Sequence, residues 1–228
     1  MSLLQEARDD AVVTALDRAV VEAVRARIAA GSRGRVDASV LALRGLMADL
    51  APAEAAVLKA VWGRVDATTG PSLLASGGLA QILAADRYGL VVRPQPAEEA
   101  LKAVEDGARA LIDLSSNRPW WGRLLARPEL RIVAALPDDR LARPQAFLVS
   151  KEASGPTGDD RSFWVTDSGW SDARIVEALA GAGLVADALA AAGGLKLFVL
   201  TGYVQAEDGR LNSAPGRLNG VIGAAPLF

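Results

Sequence analysis

The chain has 228 residues, 51% hydrophobic but only 5% aromatic, and its 25 Lys and Arg nearly balance 27 Asp and Glu at a net charge of −2. That balance provides no basic field for nucleic acid or an anionic membrane surface. Cysteine and histidine are both absent, which excludes disulfides, thiolate and imidazole metal sites, and Ser-His-Asp or Cys-His catalysis. Any chemistry must rest on carboxylates, Lys, Arg, hydroxyls and backbone groups.

Residues 3–30 read as one long amphipathic helix. At about 100° per residue, Val13, Leu16, Val20, Val24 and Ile28 form one stripe, with Arg18, Glu22 and Arg25 opposite. Arg27 falls on the apolar side, where an uncompensated guanidinium is costly. It is ion-paired with Asp17 or snorkelling at the helix end, or else it is an anion-binding arginine facing a bundle interior. A loop at 31–35 follows, then a second helix to Leu50 capped by Asp37 or Ser39. Pro52 and Glu54 suit the first turn of a third helix that runs to about Thr69. The exposed stripes of these helices ask for a partner chain, and a homodimer is expected.

From residue 79 the pattern changes. A short helix (79–88) and a strand (89–93) precede a helix opened by Pro96 and ended by Gly107, and an apolar strand at 110–114. This strand–helix alternation argues for α/β structure. A short helix at 120–125 and strands at 131–136, 146–150 and 162–166 come next. A helix from 171 to 179, continuing or restarting to 192, precedes strands at 196–204 and 218–226. The simplest packing is a sheet covered on one side by helices. Trp120-Trp121 either clamp a planar ligand or pack between helix and sheet. Asp138-Asp139 and Asp159-Asp160 either bind a metal or form solvated turns.

Residues 1–10 are acidic and carry no apolar core of a secretory signal. No apolar run reaches the roughly 18–20 residues of a membrane span. A cytoplasmic location without membrane association is therefore expected.

Leu16-Asp17, an apolar run and Arg27 ten residues after the aspartate resemble the first helix of the all-helical chorismate mutase family. The long–short–medium helix plan is also similar to that family, whose dimers interlock their long helices around shared sites. Ala97-Glu98-Glu99-Ala100, Val104, Gly107 and then Ser115-Ser116-Asn117 before Gly122 resemble one lobe of prephenate dehydratases. Residues 160–226 are similar to an ACT domain. That order resembles a shortened bifunctional chorismate mutase/prephenate dehydratase.

The resemblance implies an α+β fold in three parts. A helical chorismate-mutase-like domain (1–75) with a long first helix and an interlocked dimer comes first. A dehydratase-like α/β lobe (76–150) follows, then an ACT-like sheet (151–228) with helices on one face. The implied activity is rearrangement of chorismate to prephenate, a unimolecular step that needs positioned cations and neither metal nor organic cofactor. Arg27 would hold one carboxylate of this dicarboxylate and Arg33 or Arg35 the second. Arg8 would be supplied by the partner, and Asp37 and Thr69 would complete the substrate contacts. Departures from the pattern weigh against full activity. The dehydratase's Thr-Arg-Phe falls at Gln145-Ala146-Phe147, and the mutase's arginine–glutamate pair falls at Val40-Leu41. A non-catalytic ligand-binding or regulatory protein of the same origin is the alternative.

Overall fold

The computed structural model describes residues 14–30, 35–115, 118–152 and 154–228. Helix α1 (Ala15–Ala30) begins at a reciprocal cap. The Thr14 N–H donates to Asp17 Oδ2 at 3.0 Å, and the Asp17 N–H donates to Thr14 Oγ1 at 3.1 Å. Asp17 is thereby committed to the helix start, ten residues from Arg27. The buried face of α1 runs through Ala19, Ala23 and Arg27, flanked by Leu16 and Val20, while Ile28 is 59% exposed. The stripe is rotated by about one residue from the one the large aliphatics suggest, and small alanines let α1 lie close to its neighbour.

Helices α2 (Val36–Met47) and α3 (Pro52–Thr69) complete this layer, with Leu43, Leu58 and Trp62 buried between them and α1. Ala51 N–H donates to Glu54 Oε2 at 2.9 Å at the start of α3. Arg44 on α2 donates to the carbonyls of Thr157 (2.7 Å), Asp159 (2.7 Å) and Leu227 (2.6 Å). These bonds dock the helix layer onto the chain's last third.

The remaining chain forms strands β1 (Leu73–Ser76), β2 (Arg109–Asp113), β3 (Arg131–Leu136), β4 (Ala146–Ser150), β5 (Asp160–Thr166), β6 (Ala186–Ala192), β7 (Leu195–Thr201) and β8 (Asn219–Pro226). Helices α4 (Gly78–Tyr88), α5 (Ala97–Glu105) and α6 (Asp172–Gly181) and a 3₁₀ segment at Trp120–Ala126 connect them. All eight strands belong to one mixed sheet, in the order β1-β2-β4-β3-β8-β5-β7-β6. The pairs β1/β2 and β3/β8 are parallel and the others antiparallel.

Alternate residues along each strand serve two cores, as a pleated sheet requires. Phe147, Val149, Phe163, Val165, Leu197 and Ile222 face α5 and the 3₁₀ segment. On the other face, Leu111, Val133 and Leu148 pack under α4, and Trp164, Phe198 and Leu200 under α6. Phe147 on β4 and Phe163 on β5 pack with ring centroids 4.3 Å apart and planes tilted by 50°.

This architecture overturns the family resemblance and the fold it implied. An all-helical mutase start, a separate lobe and a separate ACT-like sheet are replaced by one α+β body around a single eight-stranded mixed sheet, with helices on both faces. The buried stripe of α1 is used within the chain, against α2 and α3, and is not available for an interlocked dimer. Two elements also change. Residues 186–192 are strand β6 and no helix, closed onto β7 by the two-residue turn Gly193-Gly194, both at positive φ. Residues 89–93 form no strand, and the short β1 takes the sheet edge beside β2. Among the described residues, no helix is long and apolar enough to cross a membrane.

One carboxylate fastens the helix layer to the sheet. Asp66 on α3 accepts from Arg27 Nε of α1 at 2.7 Å and from Arg109 Nη1 of β2 at 2.6 Å. Arg27 and Arg109 are 5% and 4% exposed. Replacing Asp66→Asn leaves two buried guanidinium groups against a neutral amide and should cost about 3–5 kcal/mol. Urea unfolding measures this loss, and a change below about 1 kcal/mol would show that the two arginines are not held by Asp66.

Candidate functional site

An open cleft of about 740 Å³ lies at the carboxyl ends of the parallel pair β1 and β2. In open α/β sheets this is where ligands bind, because strands stop there and loops and helix starts converge. The local sequence explains the shape. Strand β1 ends in Ser76, and the chain then turns through Gly77 at φ +95° into Gly78, the first residue of α4. A Cβ on Gly77 would lie 2.0 Å from Asp113 Oδ2, so only glycine lets the end of β2 close up against this turn.

Asp113, 3% exposed, organises the floor. Its Oδ2 accepts from the Leu79 N–H at 3.1 Å in the first turn of α4, where a negative charge is favoured. Its Oδ1 accepts from the Ser115 hydroxyl at 2.7 Å and the Ser115 N–H at 3.3 Å. The Trp120 indole N–H donates to the Asp113 carbonyl at 2.8 Å. Ser76 and Gln95 line the cleft with Arg118, and an ion pair between Arg123 Nε and Glu98 Oε1 at 2.5 Å stands at its rim. The cleft thus offers two guanidinium groups, two carboxylates, two hydroxyls and an amide beside the apolar edges of Ile112, Pro119 and Trp120.

The described residues assigned to the mutase site lie elsewhere. Arg27 is bonded to Asp66 beneath the helix layer, and its expected partner Asp17 is taken by Thr14. Arg35 and Asp37 bond each other, with Arg35 Nη2 2.8 Å from Asp37 Oδ2, and this bond holds the Asp37 carboxyl below its usual range. The Thr69 hydroxyl donates to the Val65 carbonyl at 2.8 Å in its own helix. Arg8 and Arg33 lie outside the described residues, as do Ser116 and Asn117. Arg27, Arg35, Asp37 and Thr69 line no part of the cleft and do not converge on one ligand position, whereas Ala97, Glu98, Ser115 and Gly122 of the dehydratase-like motif and Trp120 do line it.

The other open readings resolve structurally. Trp120 and Trp121 are both core residues, and only Trp120 also reaches the cleft wall. Asp138 pairs with Lys59, Asp139 caps a turn through the N–H groups of Leu141 and Ala142, and Asp159 pairs with Arg140. Asp160 accepts from the N–H and hydroxyl of Thr157. Among the described residues, no group of three or more acidic side chains could hold a metal ion. Sequence reasoning misses Ser76 and Asp113. The signal for them is a short apolar run followed by Gly77-Gly78 and a helical pattern, together with an acid closing a second apolar strand.

No protein-family model matches the chain, and no curated protein matches it. A solved structure described as "GqqA- a novel type of quorum quenching acylases" is similar at a TM-score of 0.45 and 17% sequence identity. The match covers 68% of this chain and 95% of that one.

Substituting Gly77→Ala should strain the backbone and push the Asp113 carboxylate off the start of α4, costing about 2 kcal/mol or more. Denaturant unfolding reads this out. A loss within about 0.5 kcal/mol, typical of a neutral surface change, would mean that Asp113 does not need this close approach.

Proposed function

We propose that the chain binds a small carboxylic acid carrying additional hydrogen-bonding groups, in the cleft at the carboxyl ends of β1 and β2. One observation carries the reading: a cleft of about 740 Å³ at the ends of two parallel strands that gathers cations and carboxylates around an apolar wall. A ligand carboxylate fits Arg118 and Arg123, whose planar forks suit bidentate pairing. Ligand hydroxyl or amino groups fit Asp113, Glu98 and the serines, and its carbon skeleton fits Ile112 and the edge of Trp120. The chain has no histidine, the side chain that most often moves protons at neutral pH, and binding and orientation are the roles assigned to the cleft.

Rearrangement of chorismate would need cations at both substrate carboxylates and at the ether oxygen. Arg27 and Arg35 are bonded to the chain's own aspartates. Chorismate therefore enters the test as one dicarboxylate among several, with its ultraviolet absorbance followed in the same samples.

Thermal unfolding of the full chain should be measured with chorismate, prephenate, phenylalanine and tyrosine, and calorimetry should follow any hit. At least one of these acids should raise Tm saturably, and Arg118→Ala and Ser115→Ala should each weaken its binding about tenfold, or about 1.4 kcal/mol. Silence across the panel, or unchanged affinity in both variants, would overturn the assignment.

A further inference from the structure

A second cleft, of about 440 Å³, lies where the connection between β3 and β4 meets strands β5, β6 and β7. Arg161 of β5 and Val199 and Thr201 of β7 line it, with Leu189 and Leu227 adding apolar surface. Alternation along the pleat puts Arg161 on the same face of β5 as Phe163, and Thr201 on the same face of β7 as Val199.

Arg161 is 6% exposed. Its Nη1 donates to the Ala142 carbonyl at 3.0 Å and its Nη2 to the Pro137 carbonyl at 2.6 Å. These bonds hold the connection in place, but a carbonyl carries no net charge. The Arg161 Nε is buried and has no acceptor among the described residues. Buried charges are ordinarily paired with an opposite charge and fully hydrogen-bonded. Arg161 is neither.

The surrounding acids do not supply the missing partner. Arg140 is paired with Asp159, and the Asp160 carboxylate accepts from the N–H and hydroxyl of Thr157. Beyond the cleft, Asp138 serves Lys59 and Arg87, and Asp139 holds the N–H groups of Leu141 and Ala142. Arg143 is exposed at the cleft edge, and its Nη2 donates to the carbonyls of Ala188 (3.1 Å) and Leu189. What remains is Asp187, exposed on β6 and paired with neither Arg143 nor Arg161. Two guanidinium groups without a carboxylate partner thus share the cleft with one acid.

We propose that this cleft is a second binding site, for an oxyanion that carries a short apolar stem, a carboxylate or a phosphate monoester. Arg143 and the Thr201 hydroxyl donate to its oxygens, and Arg161 compensates its charge from beneath. The stem packs on Leu189, Val199 and Leu227, in a volume within the range of small-ligand sites. Asp187 opposes the anion. The assignment does not rest on the cleft at β1 and β2.

The test is calorimetry on the full chain with hexanoate, phenyl phosphate and inorganic phosphate, against chloride at matched ionic strength. Hexanoate or phenyl phosphate should bind saturably and more tightly than inorganic phosphate, which lacks the stem, and the ranking of the first two separates the carboxylate from the phosphate ester. Because Arg161 also holds the connection, the variants are made at Arg143 and Asp187. Arg143→Ala should weaken binding about tenfold. Asp187→Asn should strengthen it about threefold, a gain that loss of folding does not produce. Arg118→Ala should leave it unchanged, since that side chain belongs to the other cleft. No saturable binding of hexanoate or phenyl phosphate, or inorganic phosphate bound as tightly as either, would overturn the proposal. So would an affinity unchanged in Arg143→Ala or in Asp187→Asn, or one lost in Arg118→Ala.

Discussion

The position of Asp66 between Arg27 and Arg109 is the constraint on which the rest of the architecture depends. One carboxylate joins α1, α3 and β2, three elements far apart in sequence. Arg109 also donates to the carbonyls of Asp66 and Pro71, at 3.3 Å and 3.2 Å from its Nη2, so the same guanidinium grips the chain as it leaves α3 for β1. With that exit held, β1 runs parallel to β2 in the register Leu73 with Arg109 through Ser76 with Ile112. The aligned ends of these two strands are what leave a cleft between Ser76 and Asp113. A buried charge cluster beneath the helix layer is thus tied, through Arg109 and β2, to the cleft at the carboxyl ends of β1 and β2.

The two polar regions use charge differently. In the cleft each acid plays a local part, with Asp113 capping α4 and holding Ser115 while Glu98 pairs with Arg123 at the rim. Ser115 and Arg123 are exposed and Glu98 half-buried there, while Asp113 is buried beneath them. Beneath the helices the charges are largely buried, and Asp66 and Asp138 each serve two cations. The sheet separates the two.

What can be read in the sequence follows from locality. The strands at 131–136 and 146–150 stand as uninterrupted apolar runs between turns, and the structure places strands over those same residues. Thr14 and Asp17 carry a capping-box spacing, which marks Asp17 as engaged at the helix start and not with Arg27. Strand β6 reads as helix because Ala186–Ala192 is almost all alanine, a strong helix former that pairing with β7 overrides. The Gly193-Gly194 turn signal stands beside it. Asp66 is not legible, since it meets Arg27 across 39 residues and Arg109 across 43, and nothing in the spacing marks such a pairing. The family resemblance fails for the same reason. It compares local segments in order, whereas the fold is set by a sheet that pairs β3 with β8 and β5 with β8.

The helices α1–α3 and the eight-stranded sheet form one body, fastened through Asp66, with the cleft as a consequence. Native-state hydrogen exchange tests this central claim most directly. The account predicts that the most protected amides of α1 and α3 exchange with the same free energy and the same denaturant dependence as those of β2 and β4. Exchange of the helices at a much lower free energy, while the sheet stays protected, would show a separable helical module and contradict the account.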